Sequence, residues 1–199
     1  KRQAVTNPDK KFNTFKGWEG IPENGLMPAY DLTIRPIFDP VPVRLVAAEG
    51  STTIIDRNTM IITGLTTKMT ETMAKKYLAV EGDGYYTLTA VGNYSCFGTG
   101  AKVEVWDNAD TSAPVEVFYI VIYGDVNGDS AVNSLDGSIV KSEVLYDTDW
   151  SRGDSPDALK IMAADLVKDG KIKSNDSDAI YNTALGVTSI DQEAGTVVR

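Results

Sequence analysis

The sequence predicts an α+β protein of several modules, with a β-rich middle followed by an all-α C-terminal third built from two acidic loop–helix repeats. Three observations carry this. Between about Val41 and Tyr123, short β-branched and aromatic runs are separated by turn formers, as in a strand-rich module. From Gly124 the composition changes to Asp, Asn and Gly loops alternating with helical stretches. Within that part, an acidic twelve-residue segment starting at Asp125 recurs forty residues on, at Asp165.

Composition narrows the function before any motif is read. The chain of 199 residues has no histidine and one cysteine, Cys96, which removes a Ser-His-Asp triad, a Cys-His nucleophile, a His-ligated zinc site and any internal disulfide. A net charge of −9 offers no positive field to nucleic acid or to an anionic membrane surface. The longest apolar run, the seven residues Val117 to Tyr123, is far short of the roughly 20 needed for a membrane-spanning helix, so no membrane insertion is expected. From Gly124 onward there are 14 acidic residues against 7 basic ones, and twelve of the fourteen are Asp. Short Asp side chains at two-residue spacing suggest calcium. Beginning at Lys1 with no apolar leader, the chain reads as a piece of a longer protein.

Three modules are expected, at residues 1–40, 41–123 and 124–199. In the first, Asp31 to Phe38 has the period-2 pattern of a half-buried strand, and Pro36, Pro40 and Pro42 stiffen a boundary. In the second, Thr53–Ile55 and Met60–Thr63 flank an Asp56-Arg57-Asn58 turn, and Lys102–Trp106 alternates as a strand with one wet face. Val115–Tyr123 loses alternation after Glu116, which predicts a central strand buried on both faces. Met69, Met73 and Tyr77 recur every four residues, which predicts a short amphipathic helix within Thr66–Val80 whose stripe packs into the core. Cys96 reads as a small buried hydrophobe.

The repeated segment has the spacing of a calcium loop, in which oxygens at places 1, 3, 5, 7 (a carbonyl), 9 and 12 coil around a hard cation. Asp125, Asn127, Asp129, Ala131 (its carbonyl), Asn133 and Asp136 fill all six places of the first loop. The second offers Asp165, Asp169, Lys171 (its carbonyl) and Asp176, but has Val167 at the third place and Lys173 at the ninth. Side-chain charge is −3 across the first loop and zero across the second, where Lys168, Lys171 and Lys173 offset three Asp. Ca²⁺ is therefore expected in the first loop, with the second weak or empty. Helices are expected at Ser134 to about Tyr146, Pro156 to Ala164 and Ser174 to about Leu185.

At these residues the chain resembles a known family. GDVNGDSAVNSLDGSIVKSEVLY resembles the first half of a dockerin, the cohesin-binding module of bacterial cellulosomes, and AADLVKDGKIKSNDSDAIYNTALG resembles its second half. Closure of both loops by aspartate, at Asp136 and Asp176, and the strand-like Phe118–Tyr123 leading straight into Asp125 are part of the likeness. The preceding part, with GTGAKVEVWDN and VFYIVIYGDVNGD, is similar to β-rich X modules (sandwich or β-grasp-like) that precede dockerins in ruminococcal and related clostridial proteins. FKGWEG followed by MPAYDLTIRPIF resembles part of an internalin-type β-grasp repeat. The resemblance implies a non-catalytic, calcium-dependent module that attaches its parent protein to a cohesin of a scaffoldin or cell-surface anchor. It also implies an extracellular place, secreted or at the surface of an anaerobic Gram-positive bacterium, and a monomer when free.

For the partner surface, the sequence selects Ser134, Leu135, Ser138, Ile139 and Ser142 of the first helix, an apolar pair rimmed by serines. Val140 and Val144 face inward with Val132. The matching face of the second helix, with Asn175, Asp178, Ala179 and Asn182, is polar. Two other readings compete. A hydrolase using paired carboxylates lacks support, because the acids sit at calcium spacing. A calcium-stabilised carbohydrate-binding adhesin would use Trp18, Trp106 and Trp150 as stacking platforms, although single tryptophans in separate modules more often serve the core.

Overall fold

The protein is described by a computed structural model, over residues 7–22, 33–146, 150 and 157–199. At the N-terminal end, β1 (Asn13–Glu19) pairs antiparallel with β2 (Arg35–Pro40), with Phe15 opposite Phe38 and a bulge between Phe15 and Gly17. Phe15 meets the rings of Phe38 and Trp18 edge-on. Pro36 and Pro40 are tolerated because both strands of a two-stranded ribbon are edges, where a missing N–H can face outward. The expected half-buried strand is shorter and wetter than its pattern implied. Ile34 and Ile37 are exposed, and only Phe38 is partly covered within β2, since among the described residues no second layer lies on the ribbon. Asp31 and Leu32 lie outside the described residues.

The middle of the chain forms two sheets around one core. β3 (Arg44–Ala47) pairs with β6 (Leu78–Glu81). A five-stranded sheet joins β4 (Ile54–Asp56), β5 (Ile61–Thr63), β7 (Gly84–Thr89), β8 (Lys102–Asp107) and β9 (Glu116–Ile120) in the order β4-β5-β9-β8-β7. The β5–β9 pair is parallel and the other three are antiparallel. Leu45, Ile62, Leu65, Met69, Val103, Val105, Phe118 and Ile120 build the core between the sheets.

Two expectations change here. β9 is central, but its outer face is not buried, and Tyr119 points to solvent. The apolar run is unbroken for another reason: Phe118, Ile120 and Ile122 enter the first core, while Val121 and Tyr123 enter a second one that begins where the strand ends. The methionine stripe also yields less helix than its period predicts. α1 (Glu71–Ala74) is a single turn, capped by Thr70, whose Oγ1 accepts from Met73 N–H. Met69 precedes it, and Tyr77 follows it at the entry to β6. Pairing of Leu78–Glu81 with β3 overrides the helical pattern, although all three stripe residues still reach the first core. Cys96 is half-buried.

The C-terminal part holds α2 (Ser134–Tyr146), α3 (Ala158–Ala164) and α4 (Ser174–Ala184). Asp157 caps α3 by accepting from Lys160 N–H; Pro156 lies outside the described residues. Val126, Val140, Leu166 and Ile180, two from each repeat, are buried together with Val121 and Tyr123 in the second core. Val144 is only half-buried. This part is not all-α. β10 (Ser189–Asp191) and β11 (Thr196–Val198) form a hairpin that packs Ile190 and Val197 on the second core. Its Gln192 side chain accepts from Tyr123 N–H at 2.8 Å and donates to Tyr123 O at 2.9 Å, while its carbonyl accepts from Gly64 N–H.

Candidate metal centre

The two acidic loops follow the same backbone path. In both, the fourth and sixth places take left-handed φ, at Gly128 (+79°) and Ser130 (+67°) in the first loop and at Lys168 (+59°) and Gly170 (+74°) in the second. Each repeat thus places one glycine and one non-glycine at the two tight turns, in opposite order. The closing carboxylates are anchored alike. Asp136 Oδ1 accepts from Val126 and Asn127 N–H, and Oδ2 from Asn133 N–H. Asp176 does the same with Leu166, Val167 and Lys173. The helices touch near their N-terminal ends, where Ser177 Oγ donates to Gly137 O and Ser138 Oγ meets Tyr181 Oη at 2.9 Å.

Within the first loop, Asp125 is fully buried; its Oδ1 accepts from Gly128 N–H and its Oδ2 from Ser130 N–H. A further N–H reaches Asp125 Oδ2 from outside the loop, at 3.0 Å, from Thr99. Burial pushes the Asp125 carboxyl up to about 7, against the lowering effect of these bonds, and the nearby Asp136 charge adds to the rise. Asp136, also fully buried, is pushed up to about 6 by the same desolvation. Among the described residues, neither carboxylate pairs with a lysine or arginine. Asn127 Oδ1 accepts from Asp129 N–H, Asp129 Oδ1 from Ala131 N–H, and Asn133 Oδ1 from Leu135 N–H.

This donor set fits a hard cation: oxygens only, at every required place, including two buried carboxylates without a counter-charge among the described residues. Asp125, Asn127, Asp129, the Ala131 carbonyl, Asn133 and Asp136 are the residues that would hold it. Among the described residues no three His, Cys, Asp or Glu side chains converge closely enough to hold a metal by themselves. In the first loop the reason is local, since Asp129 turns to Ala131 N–H and the Asn127 amide.

The second loop is different inside the same coil. Asp165 accepts from Asp169 and Gly170 N–H, and Asp169 Oδ1 from Lys171 N–H. Lys173 Nζ donates to Asp169 Oδ2 at 2.5 Å. That bond is the main reason the Asp169 carboxyl lies below the usual carboxylate range, and Lys173 is raised first by the same bond and further by the charges of Asp176 and Asp165. Lys168 Nζ sits 4.0 Å over the Tyr123 ring. Val167 is exposed and supplies no oxygen.

Sequence reasoning missed the seam between the first loop and the middle of the chain. Ser130 is fully buried; its Oγ accepts from Met69 N–H at 2.9 Å and its carbonyl accepts from Lys68 N–H. Thr99 Oγ1 accepts from Ile122 N–H and donates to Ile122 O. A serine at the sixth place, where such loops need a glycine for the sharp turn, was the available signal.

Of the selected partner face, Ser134, Leu135 and Ser138 are exposed, Ser142 is half-buried, and Ile139 is half-buried against the second core rather than free. Ser138 is also engaged with Tyr181. The sequence reading omitted Leu145 and Tyr146 at the end of α2, and Leu185 and Val187 after α4, all strongly exposed. Tyr146 lies eleven residues after Leu135 and shares its stripe, so α2 exposes an apolar side chain at each end of that face, with Ser138 and Ser142 between them.

The C-terminal part is therefore a duplicated loop–helix module with oxygen-lined loops, closed by a hairpin. Residues 123–183 match the family model of the dockerin type I domain, so the chain carries a dockerin domain. Such domains are non-catalytic modules that bind cohesins and typically bind calcium. No curated protein and no solved structure matches the chain.

Proposed function

We propose that the chain is a calcium-dependent attachment unit that joins its parent protein, through residues 124–199, to a cohesin of a scaffoldin or surface anchor in an extracellular cellulosome. The observation that carries this reading is the buried Asp125–Asp136 pair in an all-oxygen loop inside a dockerin match. Calcium at the first loop neutralises that pair, so metal binding becomes folding free energy for the repeat and for α2. Residues 41–123 act as an X module that braces the dockerin, a role supported by the bonds from Lys68, Met69 and Thr99 to the first loop. Residues 1–40 serve as a β-grasp-like spacer. The partner is held mainly by α2, through Leu135 and the exposed side of Ile139.

The test is calorimetric titration of the full chain against cohesins of several classes, in calcium and in EDTA, with an insoluble polysaccharide pull-down beside it. Binding of a cohesin that is lost in EDTA is expected. Retention by polysaccharide with no cohesin bound would replace this reading by the adhesin one, in which the Tyr85–Trp106 stack supplies the platform.

A further inference from the structure

The second loop carries its own cation. Lys173 stands at the ninth place, where a calcium loop needs an oxygen, and its ammonium lies against Asp169 at the fifth place, within the field of Asp165 and Asp176 at the first and twelfth. The four groups thus span the loop from its first ligand place to its last. The first loop has the same backbone turns and the same closing anchor, yet three acids there face no lysine or arginine among the described residues. One coil is therefore closed in two ways: in the first repeat the charge must come from outside, and in the second the chain supplies it. An ammonium is a compact donor with three N–H groups and no acceptor, so while it holds the ninth place it excludes a divalent ion by both charge and occupancy.

We propose that the Lys173 ammonium is the resident cation of the second loop, so that the second repeat folds without calcium and the chain binds one calcium ion, at the first loop. The count of one rests on the calcium reading of the first loop; the role of Lys173 does not. Val167 is a subsidiary defect, since restoring an oxygen at the third place leaves the ninth filled.

The experiment counts calcium equivalents by titration calorimetry on the full chain for wild type, Val167→Asp and the double variant Val167→Asp with Lys173→Asn. Thermal midpoints in EDTA are measured for wild type and for Lys173→Met, which keeps most of the stem and loses the charge. Val167→Asp should match wild type at one equivalent, and the double variant should gain one. Lys173→Met should melt below wild type in EDTA, because Asp169 loses its partner. A second equivalent in wild type or in Val167→Asp, no gain in the double variant, or an unchanged midpoint for Lys173→Met would each overturn the proposal. The gain is read as a difference between variants. A wild type that bound no calcium would defeat the reading of the first loop, while the step from Val167→Asp to the double variant would still decide the role of Lys173.

Discussion

A single methyl group at Gly98 should weaken calcium binding at a loop that begins well downstream of it. Gly98 lies against the first loop so closely that a Cβ would meet Gly128 O and Ser130 N at 2.5 Å each, with Asp125 Oδ2 closer still. All three lie far inside normal contact distance, two are backbone atoms, and the third is the carboxylate oxygen that accepts from Thr99 and Ser130. The side carrying Gly98 has little room to yield. Phe97 N–H donates to Met69 O, Thr99 Oγ1 is bonded to both backbone groups of Ile122, and Gly100 N–H donates to Ile120 O. Overpacking of this kind costs about 1 to 3 kcal/mol, and losing the Thr99 N–H bond to a carboxylate costs about 1.5 to 3 kcal/mol. The two overlap, so about 3 kcal/mol is a fair figure for withdrawing the loop, and at ~1.4 kcal/mol per tenfold this is roughly a hundredfold in calcium affinity. The assay is calcium titration calorimetry of EDTA-stripped Gly98→Ala, with circular dichroism to confirm that the sheets remain. An affinity within about threefold of wild type would refute the claim that the middle of the chain presses on Asp125.

Ser130→Gly removes a left-handed φ penalty of roughly 1 kcal/mol but strips the buried Met69 N–H of its acceptor, which costs about 1 to 3 kcal/mol; urea unfolding should show a net loss, and a gain would show that the bond contributes little. Because Asp125 and Asp136 are raised to about 7 and about 6 in the folded, metal-free chain, their burial penalty is absent below about pH 4 and complete above about pH 7, so the EDTA-treated protein should be more stable at pH 5 than at pH 8. Calcium must displace those protons, so its affinity should fall by about tenfold or more per pH unit below pH 6; calorimetry at pH 5, 6 and 8 checks both signs, and a pH-independent affinity would contradict them. Leu135→Asp with Ile139→Asp should cost cohesin binding at least tenfold, whereas Asn175→Asp with Ala179→Asp should not, once both fold with calcium; loss only in the second pair would move the interface to α4.

The helices of the repeats were legible because their starts are set by local chemistry: Ser134 and Ser174 follow the ninth-place residue of each loop, and α2 and α4 begin there. Sheet pairing was less legible, since it depends on partners distant in sequence. Leu78–Glu81 becomes a strand only because Arg44–Ala47 lies beside it, and that contact overrides the four-residue methionine period. Ser189–Val198 gave no strong alternation, and its hairpin is held by packing on Tyr123 and on a core already built by other segments. Likewise, the oxygens of the first loop could be counted from spacing, whereas the N–H of Thr99 on Asp125 belongs to the way two cores meet.

The continuous passage from β9 into the first loop also sets how tension would cross the molecule. Where cargo pulls from upstream and a partner holds the loop–helix repeats, the load enters β9 along its own axis at Ile120, and the ladders to β5 and β8 lie across that axis. Such ladders must slide all at once rather than open one bond at a time. The weak point is then the short stretch beyond the ladder, and there the hairpin acts as a clip: Gln192, downstream of both repeats, grips Tyr123 by both backbone groups and Gly64 by its carbonyl.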